Sequence, residues 1–144
     1  VIQINYLDAD LDDALYRAQD ARRPQTEARR AELEKELPGE ENQQKRFQAL
    51  REYTLSLGPL PTVSWEKIVE HIDHVVKVAG TDHVGLGSDF DGATMPLGME
   101  DASKLPTITD ALLKRNHTER DIGKVLGGNL LRVMEHVERV AEGK

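Results

Sequence analysis

Only two short stretches of this 144-residue chain have the pattern of β-strands, and they lie far apart. Residues 1–6, VIQINY, are rich in β-branched side chains, and residues 83–88, HVGLGS, read as a buried strand that ends in polar residues. Helical patterns fill the rest of the chain, and strands that alternate with helices favour a parallel sheet. Because two strands cannot close a sheet or cover it on both faces, the sequence predicts the last part of a larger α/β fold, and we expect further sequence before Val1.

The long region from Asp8 to about Tyr53 is rich in Glu, Arg, Gln and Ala, which favour helix, and it has few apolar anchors. Pro24 and the pair Pro38-Gly39 divide this region, so two or three solvated helices are expected. A partner-binding coiled coil is the alternative, but no heptad pattern persists for the repeats that it requires.

The region after residue 60 predicts four more helices. An apolar stripe begins at Trp65 and predicts a helix that Ser64 caps and Gly80 ends. Further helices are expected over residues 107–115 and 119–126, with Thr118 as the cap of the second. The pair Gly127-Gly128 then breaks the pattern before a final helix that begins at residue 129.

Charge and composition exclude several classes of function. The net charge of −7 and the pI of about 5.2 argue against nucleic-acid binding and against attraction to anionic lipids. Residues 112–133 have the rhythm of a helix-turn-helix, but their second helix is not basic enough for a DNA reader. The chain has no cysteine, which excludes disulfides and thiolate metal sites, and no apolar run long enough for a membrane span.

The second strand ends in two carboxylates, Asp89 and Asp91, within the sequence HVGLGSDFDG. Ligands of open α/β folds bind at the carboxyl ends of strands, and carboxylates next to a buried strand are costly unless something pairs or uses them. Gly92 permits a tight turn, so a functional role and a structural turn-capping role both stay open. The spacing does not fit a calcium-binding EF-hand loop, because its first and last ligand positions fall on Gly87 and Gly98.

The two histidines of EHIDHVV, His71 and His74, have a spacing that could hold a metal on one helical face. They flank an apolar stripe, and the chain contains no HExxH pattern. We therefore interpret them as partly buried, hydrogen-bonded helix residues. The sequence has no Ser-His-Asp signature, P-loop or dinucleotide fingerprint.

Several blocks in order resemble the C-terminal portion of the membrane (renal-type) dipeptidases, the zinc dipeptidases of the M19 peptidase class. The match extends from about Trp65 to Glu138, and its blocks are HIDHVVKVAGTDHVGLGSDFDG, LGMEDASKLP and ALLKRNHTERDIGKVLGGNLLRVMEHVE. VIQINY resembles the seventh strand of that family's barrel, and HVGLGSDF resembles the eighth. Residues 8–57 resemble the longer bacterial versions of the intervening loop.

The resemblance implies that residues 1–144 are part of a single (β/α)8 TIM-like barrel domain of the metal-dependent hydrolase type. In this interpretation strands 7 and 8 are the last two βα units, residues 8–57 are a helical insertion after strand 7, and residues 64–138 form the last helix-strand-helix units. The family holds two zinc ions through residues that lie before the seventh strand, so no metal ligand is expected in this chain. His71, His74 and His83 therefore do not replace those ligands.

The resemblance also implies a role for Asp89, since the aspartate that ends the family's eighth strand faces the substrate amine and is thought to carry a proton to the leaving nitrogen. Asp91 is a weaker candidate that supports the loop or binds substrate, and Asn5 is a weaker candidate for lining the substrate pocket. The expected partners are a dipeptide substrate, the N-terminal remainder of the barrel and, since family members are often dimers, a second copy of the chain. No nucleic acid and no membrane span are expected.

The sequence therefore predicts zinc-dependent hydrolysis of dipeptides by the complete barrel. The alternatives are an amide or lactone hydrolase of the amidohydrolase type, and a catalytically inactive binding module on the same barrel. Vertebrate members carry cysteines and a lipid-anchor signal, which this sequence lacks, so the resemblance favours a soluble bacterial-type enzyme of the cytoplasm or periplasm.

Overall fold

A computed structural model of the chain describes residues 1–143. The chain divides into two compact units, one formed by Val1–Asp12 with Thr62–Lys144 and one formed by Asp13–Pro61. We call the first the sheet unit and the second the helical unit. The chain is a mixed α/β structure with a small sheet, as the order of the predicted elements indicates.

The sheet consists of two parallel strands, β1 (Ile2–Asn5) and β2 (Val84–Ser88). Both strands lie where the sequence predicts them, and their parallel pairing is confirmed. Ile2 pairs with Val84 at one end, and Asn5 pairs with Ser88 at the other. The carboxyl ends of both strands therefore meet at one edge of the sheet.

Helix α4 (Glu66–Ala79) supplies much of the core of the sheet unit. Its apolar stripe places Ile68, Val69 and Ile72 on one face, where all three are fully buried. Burial of each such side chain contributes about 1.5–3 kcal/mol. The prediction that Ser64 is the N-cap is wrong, because Trp65 occupies that position without a side-chain cap. The Ser64 hydroxyl still accepts a long hydrogen bond, 3.4 Å, from the Glu66 amide.

The chain after β2 forms three helices, α5 (Leu105–Lys114), α6 (Glu119–Gly123) and α7 (Asn129–Ala141). The Thr118 cap is confirmed, since its Oγ1 accepts from the Asp121 amide at 3.1 Å and donates to the carboxylate of the same residue. One π-helical turn, Lys124–Gly128, joins α6 to α7, and the predicted break lies within it at Gly127.

Asn129 is the buried polar residue at the start of α7, with 1% of its surface exposed. Its side-chain amide donates to the Thr81 carbonyl at 2.6 Å and to the Val84 carbonyl at 2.9 Å. Thr81 begins the 3-10 turn Thr81–His83 that leads into β2. One side chain thus joins the beginning of the last helix to the beginning of the second strand.

Helix α7 has an apolar face that is exposed over much of its length. Residues 1–143 leave this face uncovered. The exposed fractions lie between 41% and 62% for Leu130, Leu131, Met134, Val137 and Val140.

The helical unit is a pair of helices, α2 (Asp13–Glu36) and α3 (Gln43–Ser56), with the 3-10 turn Glu40–Asn42 between them. A short helix, α1 (Asp8–Leu11), precedes it in the sheet unit. The helices predicted between residues 8 and 53 are present, but the expected division at Pro24 is wrong, because α2 continues through that proline. Within residues 1–143, no helix combines the length and apolar character that crossing a membrane requires.

Candidate functional site

The carboxyl ends of the two strands bring Asn5 and Asp89 together. Asn5 is the last residue of β1, and Asp89 directly follows β2. The Asn5 side-chain Nδ2 donates to Asp89 Oδ2 at 3.4 Å, and Asn5 Oδ1 accepts from the Leu7 amide at 2.7 Å. These two predicted site residues, 84 positions apart in the sequence, are therefore direct neighbours at the edge of the sheet.

The pairing of the strands shifts by one residue just before this edge. Ile4 pairs with Leu86, but Asn5 pairs with Ser88, so Gly87 is the extra residue of a bulge. A Cβ atom at Gly87 would lie 2.9 Å from the Ile4 carbonyl oxygen. Side-chain carbon atoms do not come this close to backbone atoms. Glycine at this position therefore permits the bulge.

Asp89 sits on a backbone that side-chain-bearing residues seldom adopt. Its φ is 84°, and the φ of Ser88 is 48°. The Tyr6 amide donates to the Ser88 carbonyl at 2.9 Å, and the amides of Gly92 and Ala93 donate to the Asp89 carbonyl. These backbone bonds hold the turn that places the Asp89 side chain at the exposed edge of the sheet.

Gly92 leaves room for the Asp89 carboxylate. A Cβ atom at Gly92 would lie 2.5 Å from Asp89 Oδ1, so any other residue there would displace the carboxylate. Asp91 is exposed and makes no hydrogen bond or ion pair with another residue within 1–143. The structure thus brings Asp89 and Asn5 together and leaves Asp91 apart from them.

Tyr6 lies beneath this edge and was missed as a site residue by the sequence reasoning. It is fully buried, and its ring contacts Phe90 edge-on with 5.8 Å between the ring centres. Tyr6 Oη and Asp8 Oδ1 are buried atoms that have no hydrogen-bond partner within residues 1–143. Burial raises the pKa of the Tyr6 hydroxyl. It also raises the pKa of Asp8, although a hydrogen bond from the Ala9 amide opposes that shift.

A signal for Tyr6 was available, since it is the aromatic residue that ends a predicted strand. The contact with Phe90 was not predictable, because 84 residues separate the two rings in the sequence.

The histidines considered in the sequence analysis do not form a metal site. His71 is partly buried, and its Nε2 lies 3.2 Å from the Leu11 carbonyl, which confirms the predicted hydrogen-bonded role. His74 is exposed, so the partly buried role predicted for it is wrong, and His83 is exposed as well. Among residues 1–143, no three His, Asp or Glu side chains lie close enough to hold a metal ion.

A second polar cluster lies among the helices of the sheet unit. Asp73 on α4 accepts hydrogen bonds from Arg115 and His117, and His117 Nε2 lies 2.7 Å from Asp73 Oδ1. Burial alone would raise the pKa of Asp73, but the hydrogen bonds from Arg115 and His117 outweigh burial and lower this pKa. This cluster joins α4 to the turn between α5 and α6, so its geometry is that of a structural ion pair.

The elements of the site thus follow the general arrangement of α/β enzymes, with polar side chains at the carboxyl ends of parallel strands. A sequence model of the membrane dipeptidase family, peptidase family M19, matches residues 1–144. The chain belongs to this family, which confirms the resemblance that its sequence blocks carry.

Two solved structures are similar to the chain. The probable dipeptidase PvdM from Pseudomonas aeruginosa is 30% identical, and the match covers 92% of this chain and 36% of that chain with a TM-score of 0.61. A metallo peptidase from Rhodobacter sphaeroides, liganded with a phosphinate mimic of the dipeptide L-Ala-D-Ala, is 38% identical. That match covers 51% of this chain and 21% of the other, with a TM-score of 0.48. The chain therefore spans about a third or less of the length of these proteins.

Proposed function

We propose that this chain supplies the last two βα units, strands 7 and 8, of a (β/α)8 barrel, and that the complete enzyme hydrolyses dipeptides. In this proposal Asp89 carries a proton during the reaction. One observation carries the assignment: the turn after β2 holds the Asp89 carboxylate at the exposed edge of the sheet, beside Asn5 at the end of β1. This edge is where barrel enzymes of parallel strands place their catalytic groups.

The surface of the sheet unit supports the barrel proposal. Two parallel strands are too few for a stable sheet. Ile2 on β1 is 55% exposed, and the apolar face of α7 is uncovered. A surface of this kind is favourable only when other elements cover it. The N-terminal remainder of the barrel is the partner that we propose for it, and the 36% share of PvdM that the chain matches leaves room for six further strands.

The proposed chemistry uses the Asp89 carboxylate to move one proton. Water attacks the carbonyl carbon of the scissile peptide bond, and the carboxylate accepts the proton that the water loses. It then delivers this proton to the amide nitrogen as the C–N bond breaks, so a carboxylic acid and a free amine leave, and the acid then loses its remaining proton to the solvent. A positioned carboxylate at hydrogen-bond distance can do this work, and such transfer contributes about 10²–10⁴-fold to the rate.

The resemblance to zinc dipeptidases implies two zinc ions in the complete enzyme. The residues of this chain do not fit that role, since no metal-holding cluster is present among residues 1–143. We propose that residues outside this chain bind the zinc ions, and we assign no step of the reaction to them. A homodimer and a weaker contact of Asp91 with the substrate remain predictions.

The test is the Asp89→Asn variant of the intact enzyme that contains this chain. Because asparagine keeps the shape but cannot carry the proton, we expect kcat for a dipeptide to fall by about 10²–10⁴-fold with the metal content unchanged. The matched control is Asp110→Asn, an exposed carboxylate on α5 that should leave kcat unaltered. Near-normal turnover by Asp89→Asn would remove Asp89 from the mechanism.

A substrate panel tests the reaction itself. The wild-type enzyme should hydrolyse dipeptides faster than an N-acyl amino acid or a lactone. A preference for the lactone would favour the broader amidohydrolase alternative, and no hydrolysis by the metal-loaded enzyme would favour the inactive binding module.

A further inference from the structure

We propose that Asn5 is a positioning residue that holds the Asp89 carboxylate in the orientation needed for proton transfer. This inference rests on the proposed function, and it adds a second role to the expectation that Asn5 lines the substrate pocket. The juxtaposition of the two side chains at the strand edge carries it, together with the register shift that creates that juxtaposition.

The bulge at Gly87 brings Asn5 within reach of Asp89. Without the extra residue, Asn5 would pair with Gly87, one position further from Asp89 along β2. With it, Asn5 pairs with Ser88, the residue directly before the carboxylate. Bulges beside functional sites commonly re-aim a side chain, and here the bulge aims one amide at one carboxylate.

The orientation of the Asn5 amide is fixed by its second hydrogen bond. Oδ1 accepts from the Leu7 amide at 2.7 Å, and only an oxygen can accept there. The Nδ2 group must therefore be the part that faces Asp89 Oδ2, where it donates across 3.4 Å. This bond is long, as hydrogen bonds of catalytic groups often are before substrate is bound.

The same geometry divides the two oxygens of the Asp89 carboxylate. Oδ2 faces Asn5, and Oδ1 lies beside Gly92 with no hydrogen-bond partner within residues 1–143. Asp89 is exposed, and within residues 1–143 its carboxylate makes no side-chain hydrogen bond or ion pair other than the one with Asn5. The Asn5 bond is the side-chain contact that selects one rotamer and leaves Oδ1 available to carry the proton.

The experiment compares two substitutions of Asn5 in the intact, metal-loaded enzyme. Asn5→Asp keeps an oxygen for the Leu7 amide but turns the donor to Asp89 into a second acceptor. Asn5→Leu removes both bonds. The control is Gln25→Leu, an exposed amide on α2, away from the strands, whose side chain makes no hydrogen bond within residues 1–143. The readouts are kcat and KM for a dipeptide, and a crystal structure of Asn5→Asp.

We expect kcat to fall by about 10- to 100-fold in both Asn5 variants with KM changed little, as is typical when a residue that orients a catalytic group is lost. Gln25→Leu should keep the wild-type kcat. In an Asp89→Asn background the Asn5 substitutions should lower kcat little further, since the effects of residues that act through one another are not additive. The crystal structure should show the Asp89 carboxylate in a different rotamer.

An unchanged kcat, an additive loss in the Asp89→Asn background, or an unmoved Asp89 carboxylate in Asn5→Asp would each overturn the proposal. If the wild-type enzyme hydrolyses no dipeptide, the proposed function fails, and the crystal structure still decides whether Asn5 positions Asp89. If Asn5→Leu does not fold, Asn5→Asp decides, because it preserves the bond to Leu7.

Discussion

Replacement of Asn129 by aspartate should make the stability of the enzyme depend on pH in a way that can be worked out in advance. The change keeps the shape of the side chain and creates no cavity. It places a carboxyl group, at a position that is 1% exposed, against the carbonyl oxygens of Thr81 and Val84. An ionised carboxylate cannot donate to either carbonyl, so the folded state must keep the introduced carboxyl group protonated.

The size of the stability loss follows from the free energy needed to keep that carboxyl group protonated. An aspartate in the unfolded chain has a pKa of about 3.9, and each unit of pH above this value costs about 1.4 kcal/mol for a group held protonated. The protonated side chain replaces one of the two hydrogen bonds, and loss of the other costs about 1 kcal/mol. The variant should thus be less stable than wild type by about 2.5 kcal/mol at pH 5 and by about 5 kcal/mol at pH 7.

The sign of this dependence is fixed by which state binds more protons. The folded variant binds one proton more than the unfolded variant above the unfolded pKa, so its stability falls as pH rises. The fall continues until pH reaches the raised pKa of the folded state. Wild-type asparagine does not titrate, and the pH dependence that both proteins share cancels in their difference.

Urea denaturation of the intact enzyme at several pH values between about 5 and 7 measures this difference, with wild type compared at each pH. The control is Asn116→Asp, because Asn116 is exposed and its φ of 64° suits aspartate as well as asparagine. The difference in free energy of unfolding between that variant and wild type should not change with pH. A pH-independent difference for Asn129→Asp, or one below about 1 kcal/mol, would refute the role of Asn129 as a buried double donor.

Two further predictions concern the other contacts of the sheet unit. Asp73→Asn should lower the free energy of unfolding by only about 1 kcal/mol, because solvent screens the pairs with Arg115 and His117. The folded-state pKa of Asp73 is lowered, so this stabilisation is present above the unfolded pKa and should disappear in urea titrations as pH falls through the folded pKa. Gly87→Ala should cost about 1–3 kcal/mol, because its Cβ meets the Ile4 carbonyl. When both losses are expressed as free energies, this variant should lose more in dipeptide turnover than in folding stability. Equal losses would contradict the proposed link between the bulge and Asp89.

The parts of the fold that the sequence could predict depend on local signals. The apolar stripe of α4, the Thr118 cap and the two strands all rest on residues within a few positions of one another. Pro24 misled the prediction, because a proline removes one hydrogen bond and a helix of 24 residues retains enough others to continue. The sequence shows the proline but not the balance of the remaining bonds.

The parts that could not be predicted depend on pairing between distant residues. Asp89 was predictable as a candidate because it follows a buried strand. Its hydrogen bond with Asn5 depends on the strand register, which two strands about 80 residues apart do not reveal. The partners of Asn129 lie 45 and 48 residues away, and an isolated asparagine at a helix start reads equally well as an exposed cap.

The backbone at Ser88 and Asp89 has a consequence for laboratory evolution of the enzyme. Both residues have positive φ, a conformation that glycine adopts without the penalty that other residues incur. A library screened only for heat resistance should therefore enrich glycine at these two positions, and each such clone gains stability through the local backbone. Glycine in place of Asp89 would also delete the carboxylate. Selection for thermal resistance is thus expected to favour glycine at position 89, and selection for turnover is expected to favour aspartate there.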